Sequence, residues 1–262
     1  MIYALGRPVL RSYCPPTPEV CPEAEIEIPK VSQWAKEKVS FSSSPKQAEV
    51  LDSEAKYLIL CCNRQWGKTT TIAVKALHHC LHHPRQCVIV LARAVEQAAM
   101  IVERAIECAV LLGMKTPRYN GRRYSLALPN GSRIIAIPHT ETTSLGRTAN
   151  VLIVDEAAVV KDSVYFSVAA FIARTHGRIW MMSTPARQAG FFYNFWHDQD
   201  NGFHKVFSPV VDCPEIDPDY LAMLRKASPT KYAQQFECKF MQPSDYLTNR
   251  EFVRSILRKS PG

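Results

Sequence analysis

Four runs in this 262-residue chain are apolar at almost every consecutive position: Tyr57–Cys62 (YLILCC), Cys87–Ala92 (CVIVLA), Val151–Val154 (VLIV) and Ile179–Met182 (IWMM). A strand that is apolar on both faces has to be covered on both faces. Between the runs lie stretches with helical periodicity, from about Gly67 to Leu81 and from Glu96 through Leu112. Together they predict an α/β fold, a mostly parallel central sheet flanked by helices. Arg123–Leu128 and Arg133–Ile137 alternate around Pro129-Asn130-Gly131, which predicts a hairpin, and Phe203–Val210 reads as a further strand. Beyond Asp212 the texture turns helical. Asp217-Pro218 and Ser228-Pro229 each read as an N-cap with proline at the first helical position, giving helices over about 217–227 and 229–240.

This pattern divides the chain into a flexible leader (1–38), an α/β core (39–212), a small helical subdomain (213–245) and a tail or linker (246–262). The leader is rich in Pro and Glu, with CPPTPEVCPEAEIEIPK at its centre. No apolar run reaches the ~18 residues a membrane span needs, and the first twenty residues lack the layout of a secretory signal. The expected place is the cytoplasm, without membrane association. No CxxC pair occurs among the nine cysteines, several of which sit in apolar runs, so buried thiols are expected. A net charge of +8 suits a polyanionic partner without locating where it binds.

Three short motifs carry chemistry. Cys62-Asn63-Arg64-Gln65-Trp66-Gly67-Lys68-Thr69 joins an apolar strand to a helix, the context of a phosphate-binding loop. Backbone N–H groups from Asn63 through Thr70 would cradle the phosphates of ATP. Lys68 would reach the β and γ groups, and Thr69 would ligate Mg²⁺. Cys62 stands where such loops usually have their first glycine. The second motif, Asp155-Glu156, ends another apolar strand, where an aspartate can hold the metal's water shell and a glutamate can activate the attacking water. The third, Ser183-Thr184-Pro185, ends RIWMM, where a hydroxyl pair can sense the γ-phosphate.

In this order and spacing, CNRQWGKT, VLIVDEAA and MMSTPA resemble the N-terminal ATPase of terminase large subunits, the DNA-packaging motors of tailed bacteriophages. The resemblance covers about residues 40–240. Arg64 matches an arginine inside the phosphate loop that is characteristic of the family. Ser144–Asn150 (SLGRTAN), leading into the DE strand, matches too. Phe41–Leu51 (FSSSPKQAEVL) is similar to the adenine-contacting segment, with Gln47 as its glutamine. The resemblance implies a P-loop NTPase of the RecA/ASCE-like kind with a helical lid that rotates with nucleotide state. It makes Lys68 and Thr69 the phosphate and Mg²⁺ residues, Asp155 the metal's carboxylate and Glu156 the catalytic one. Thr184, beside Ser183, would couple hydrolysis to movement. Arg147 or Arg64 would supply the catalytic arginine, in trans or in cis. The implied partners are double-stranded DNA, further copies in a ring, the portal protein and the small terminase subunit.

Family members usually continue into a metal-dependent nuclease; with the sequence ending at Gly262, no DNA cleavage is expected of this chain. A two-lobed helicase is a rival reading, but 262 residues leave no room for a second lobe. A nucleotide-dependent DNA-binding or assembly module with little turnover is another, which Glu156 argues against. Two further clusters are read as structural. His78, His79, His82 and His83 form two same-face helical pairs rather than a metal centre. Phe191–Trp196 is read as a helix packing its rings on the sheet. Arg122, Arg123, Lys205 and Arg225 are candidates for a DNA-gripping surface.

Overall fold

Every apolar run becomes a strand of one sheet. The computed structural model describes residues 28–116, 118, 121, 123–138 and 148–242. Its strands are β1 (Tyr57–Cys62), β2 (Cys87–Leu91), β3 (Ser125–Ala127), β4 (Arg133–Ile137), β5 (Val151–Asp155), β6 (Arg178–Ser183) and β7 (His204–Ser208). Their order across the sheet is β3-β4-β2-β5-β6-β1-β7. Only the β3–β4 hairpin is antiparallel; the other neighbours run parallel.

Because side chains alternate across a strand, each run feeds two cores at once. Leu58, Leu60, Val88, Val90, Ile153 and Met182 face one side, beneath α3 (Lys68–His82) and α4 (Val95–Leu111). Ile59, Ile89, Leu91, Leu152, Val154 and Met181 face the other, beneath α5 (Asp162–Ala169) and α6 (Phe191–His197). In α6, Phe191 and Phe192 are buried, Tyr165 stacks on Phe191 with centroids 4.0 Å apart, and the half-buried Phe195 and Trp196 pack against the same core. The two histidine pairs do share faces of α3, with ring centroids 4.0 and 4.4 Å apart.

Two expectations change. The sequence predicts a flexible leader through residue 38, yet Val31–Val39 form a helix, α1, whose Trp34, Ala35 and Val39 are buried. Trp34 sets its ring edge-on to His78 with centroids 5.0 Å apart, and Ser32 ties α1 to Asp52 through its N–H (2.8 Å) and hydroxyl (2.6 Å). Asp52 ends α2 (Pro45–Asp52), the helix that carries Gln47. Residues 1–27 lie outside the described part.

The second change is at the other end. α7 (Pro218–Ala227) and α8 (Pro229–Gln235) form around a small cluster of Val210, Tyr232 and Phe236. Asp217 caps α7 by accepting from Asp219 N–H, whereas the Ser228 side chain makes no such bond. α8 ends at Gln235, five residues short of the expected 240. A left-handed turn at Cys238 (φ 56°) reverses the chain, and Met241 bonds back to Ala186 and Gln188. The tail beyond residue 242 lies outside the described part.

Candidate active site

The order β5-β6-β1 brings the three motifs together. In a parallel sheet all three strands end on the same edge, so the phosphate loop after β1, Ser183 ending β6 and Asp155-Glu156 ending β5 sit side by side. Registers of Cys61 with Ser183 and Asp155 with Met182 fix their heights.

The loop from Asn63 to Gly67 turns through two left-handed residues, Gln65 (φ 70°) and Gly67 (φ 86°). Gly67 then caps α3, so the Lys68, Thr69 and Thr70 side chains occupy its first turn, where backbone N–H groups have no partner within the helix. A Cβ on Gly67 would lie 2.8 Å from Gln47 Nε2. Gln47 completes the capping box of α2 by accepting from Ser44 N–H (2.9 Å), and its Nε2 donates to the Trp66 carbonyl at 2.8 Å. Cys62, in place of a glycine, is fully buried as the last residue of β1.

Lys68 Nζ stands 3.4 Å from Glu156 Oε1. Burial works against the Lys68 charge, but the neighbouring Cys62, Glu156 and Asp155 outweigh it and hold the pKa above the ordinary lysine value. Asp155 is buried and accepts from Glu156 N–H at 2.9 Å. Burial, and then the Glu156 charge, push its carboxyl up to about 6. Glu156 sits in a left-handed conformation (φ 48°), a strained setting for a residue with a Cβ. Of the hydroxyl pair it is Ser183 that faces Glu156, with Oγ 3.4 Å from Oε2. Its single proton has a closer acceptor in the Thr184 carbonyl at 2.7 Å, and Oγ accepts from Ala158 N–H.

The loop is also fastened to the end of β7 and to α8. Asn63 N–H donates to the Ser208 carbonyl (2.9 Å), and Trp66 Nε1 donates to the Ser208 hydroxyl (2.7 Å). Arg64 is exposed and turns toward α8: its N–H donates to the Gln235 carbonyl at 2.7 Å. The adjacent Gln234 donates to the Pro185 carbonyl at 3.0 Å. Consecutive residues of α8 thus hold the phosphate loop and the segment after Ser183-Thr184. Sequence reading missed Ser208, Gln234 and Gln235, which belong to no motif. Arg147, with residues 144–146, lies outside the described part.

The basic candidates do not form one surface. Arg122 lies outside the described residues. Arg123 leans on the Tyr124 ring beside β3, whereas Lys205 is on β7 and bonds the Asp198 carbonyl. Six strand spacings separate those edges, roughly 29 Å. Arg225 pairs with Glu237 at 3.2 Å.

Residues 60–251 match the family model described as "terminase large subunit, T4likevirus-type, N-terminal". The chain belongs to the T4-like terminase large-subunit family. It is the ATPase domain of a DNA-packaging motor. Among solved structures, the large-terminase ATPase domain of a Thermus phage is similar to it at a TM-score of 0.71 and 19% identity, covering 81% of this chain and 100% of that one. The bacteriophage HK97 large terminase gives 0.70 and 16%, covering 80% and 55%. A large terminase from a thermophilic bacteriophage, solved with ADP, gives 0.63 and 13%, covering 76% and 54%. At these identities the likeness is one of fold. This terminase chain spans all of the isolated ATPase domain and about half of the two longer structures. A search of curated proteins finds none that matches it.

Proposed function

We propose that the chain binds ATP across the phosphate loop and hydrolyses it to move double-stranded DNA into a capsid. The observation that carries this is the 3.4 Å pairing of Lys68 with Glu156 beside the buried Asp155. When a triphosphate arrives, the Lys68 ammonium turns to its β and γ groups, supported by the N–H groups of the first turn of α3. Glu156, released from the lysine, orients water for in-line attack and takes its proton. Gln47, next to the loop at Gly67, has one acceptor lone pair and one N–H left for the adenine edge.

Thr69 and Asp155 fit a magnesium ion. A hydroxyl and a buried carboxylate are hard oxygen donors. Such an ion would supply counter-charge to the phosphates. The ties from Gln234 and Gln235 give loss of the γ-phosphate a route to the helical subdomain, with Ser183 as the hydroxyl nearest the glutamate and Thr184 contributing its carbonyl. Arg64 in cis or Arg147 from a neighbouring copy would stabilise the transition state. Ring assembly, the portal protein and the small terminase subunit complete the proposal, in the host cytoplasm.

Phosphate release, measured with and without double-stranded DNA, tests it. Lys68→Ala should lose nucleotide binding or at least hydrolysis. Glu156→Gln should keep ATP bound while turnover falls by about 10² or more. Normal turnover in either variant rejects the assignment, and a chain that only binds nucleotide would show no turnover for Glu156→Gln to remove.

A further inference from the structure

At the opposite edge of the sheet from the phosphate loop, before β1 and β6, lies a cleft of about 430 Å³. That is within the range of about 300–1,000 Å³ usual for small-molecule sites. Its walls are Ile28–Val31, the end of α2 and the residues after it (Leu51–Glu54), the last two turns of α3 and the start of β6. The first turn of α3 serves the nucleotide and its last turns line this cleft. Along the helix the cleft begins about 10 Å from Lys68, at Lys75, and ends about 22 Å from it, at His83.

The groups around the cleft are mostly hydrogen-bond donors and cations. Lys75 Nζ crosses over the Trp180 ring (5.1 Å) and gives two of its three protons to the Leu51 and Ser53 carbonyls, at 2.8 and 2.7 Å. Arg178 places Nη1 on the Glu54 carbonyl at 2.7 Å, which leaves Nη2 available. His83 donates from Nδ1 to the His79 carbonyl at 3.0 Å, so its Nε2 can donate to an anion in the imidazolium form. Two lining side chains, His78 (4% exposed) and Trp180 (3% exposed), each have a buried ring nitrogen without a hydrogen-bond partner. The Trp180 nitrogen is an unmet buried donor, which is rare because it is costly; His78 gives its ring proton to the Pro29 carbonyl, so its Nε2 is an acceptor. Of the two carboxylates, Asp52 has both oxygens on Ser32 and Glu54 is exposed.

We propose that this cleft is a second ligand site, one that takes an oxyanion, a phosphate or carboxylate group, between Arg178, Lys75, Trp180 and His83. The titration of its walls agrees. Burial, and then Arg178, hold Lys75 down to about 8; burial, and then His82 or His83, hold His78 and His79 down to about 4. The two histidines are therefore neutral near pH 7, while Lys75 and Arg178 repel each other, Asp52 and Glu54 only partly offset this, and an anion would relieve it.

The oxyanion has two sources: a free molecule, or the chain's own Glu19, Glu23, Glu25 and Glu27, which run in sequence directly into the cleft wall at Ile28. Inorganic phosphate is titrated calorimetrically into the full chain carrying Lys68→Ala, which disables the nucleotide loop whether or not that loop hydrolyses ATP. The same titration is made with the four glutamates also changed to Gln. Saturable binding in the first chain assigns the site to a free anion. Binding only in the second assigns it to the chain's own carboxylates. In either case Arg178→Ala or His83→Ala, in a variant whose circular dichroism matches its parent, should weaken binding at least tenfold. No saturable binding in either chain, or binding that both substitutions leave unchanged, overturns the proposal.

Discussion

Trp66 and Ser208 meet beneath the phosphate loop: the indole N–H donates to the serine hydroxyl at 2.7 Å, and that hydroxyl donates to Asp212 at 3.0 Å. The Ser208 carbonyl meanwhile accepts from both the N–H and the side-chain amide of Asn63, at 2.9 and 3.2 Å. One residue at the end of β7 therefore holds the loop near both of its ends. Asn63, Trp66 and Ser208 are all buried, so no solvent replaces a lost bond.

Ser208→Ala should take the acceptor from the buried Trp66 N–H and cost about 1–3 kcal/mol of stability. The loosened loop should bind ATP several-fold more weakly, with kcat little changed, and Ser208→Thr should restore most of the affinity. Chemical denaturation and nucleotide titration read the two effects separately. A wild-type affinity in a destabilised Ser208→Ala protein would mean that Ser208 supports β7 alone.

Gly67 and Gln47 allow a sharper test. A methyl at Gly67 meets Gln47 Nε2 at 2.8 Å, and φ of 86° adds about 1–2 kcal/mol of strain for any side chain. Gln47 cannot step aside without giving up its 2.8 Å bond to the Trp66 carbonyl. Gly67→Ala should lower ATP affinity at least tenfold. In a Gln47→Ala background the further loss should be smaller, because the clash is gone and only the backbone strain remains. Strictly additive losses in this double-mutant cycle would remove the steric explanation.

The two-sided apolar strands and the three motifs were legible because each rests on local spacing: Leu58 and Leu60 against Ile59 and Cys61 already declare two buried faces. The strand order that seats Ser183 between the phosphate loop and Glu156 is a tertiary fact no spacing contains. α1 was illegible for a different reason. Trp34 and Val39 are a sparse apolar pair among Lys36, Glu37 and Lys38, next to a Pro- and Glu-rich stretch, and only contact with α2, α3 and α4 makes α1 part of the core. Ser208, Gln234 and Gln235 act through single hydrogen bonds between distant segments, which leave no periodicity to read. The basic residues illustrate the converse: Arg123 and Lys205 look alike in sequence and sit at opposite edges of the sheet.

If α1 is part of the body, Trp34→Ala should cost about 3–5 kcal/mol, as expected for truncating a buried indole. Urea unfolding measures this directly. A loss near zero would return Val31–Val39 to the leader.

Asp155 gives a pH dependence whose sign is unusual for an acid near a lysine. In the unfolded chain it loses its proton near 3.8; in the nucleotide-free fold, where burial dominates over Lys68, it keeps the proton to about 6. Between those values the folded state binds more protons, so the contribution of this group is most favourable below pH 4 and is lost as pH rises through 6. Two units correspond to about 3 kcal/mol. Asp155→Asn should therefore gain stability on the wild type as pH increases from 4.5 to 7, and the difference should level off above. With magnesium and nucleotide present the advantage should shrink or reverse, since positive charge beside the carboxylate favours its ionised form. Urea unfolding of both proteins across that pH range decides it: a flat difference curve would mean that the carboxylate already has its counter-charge without any ligand.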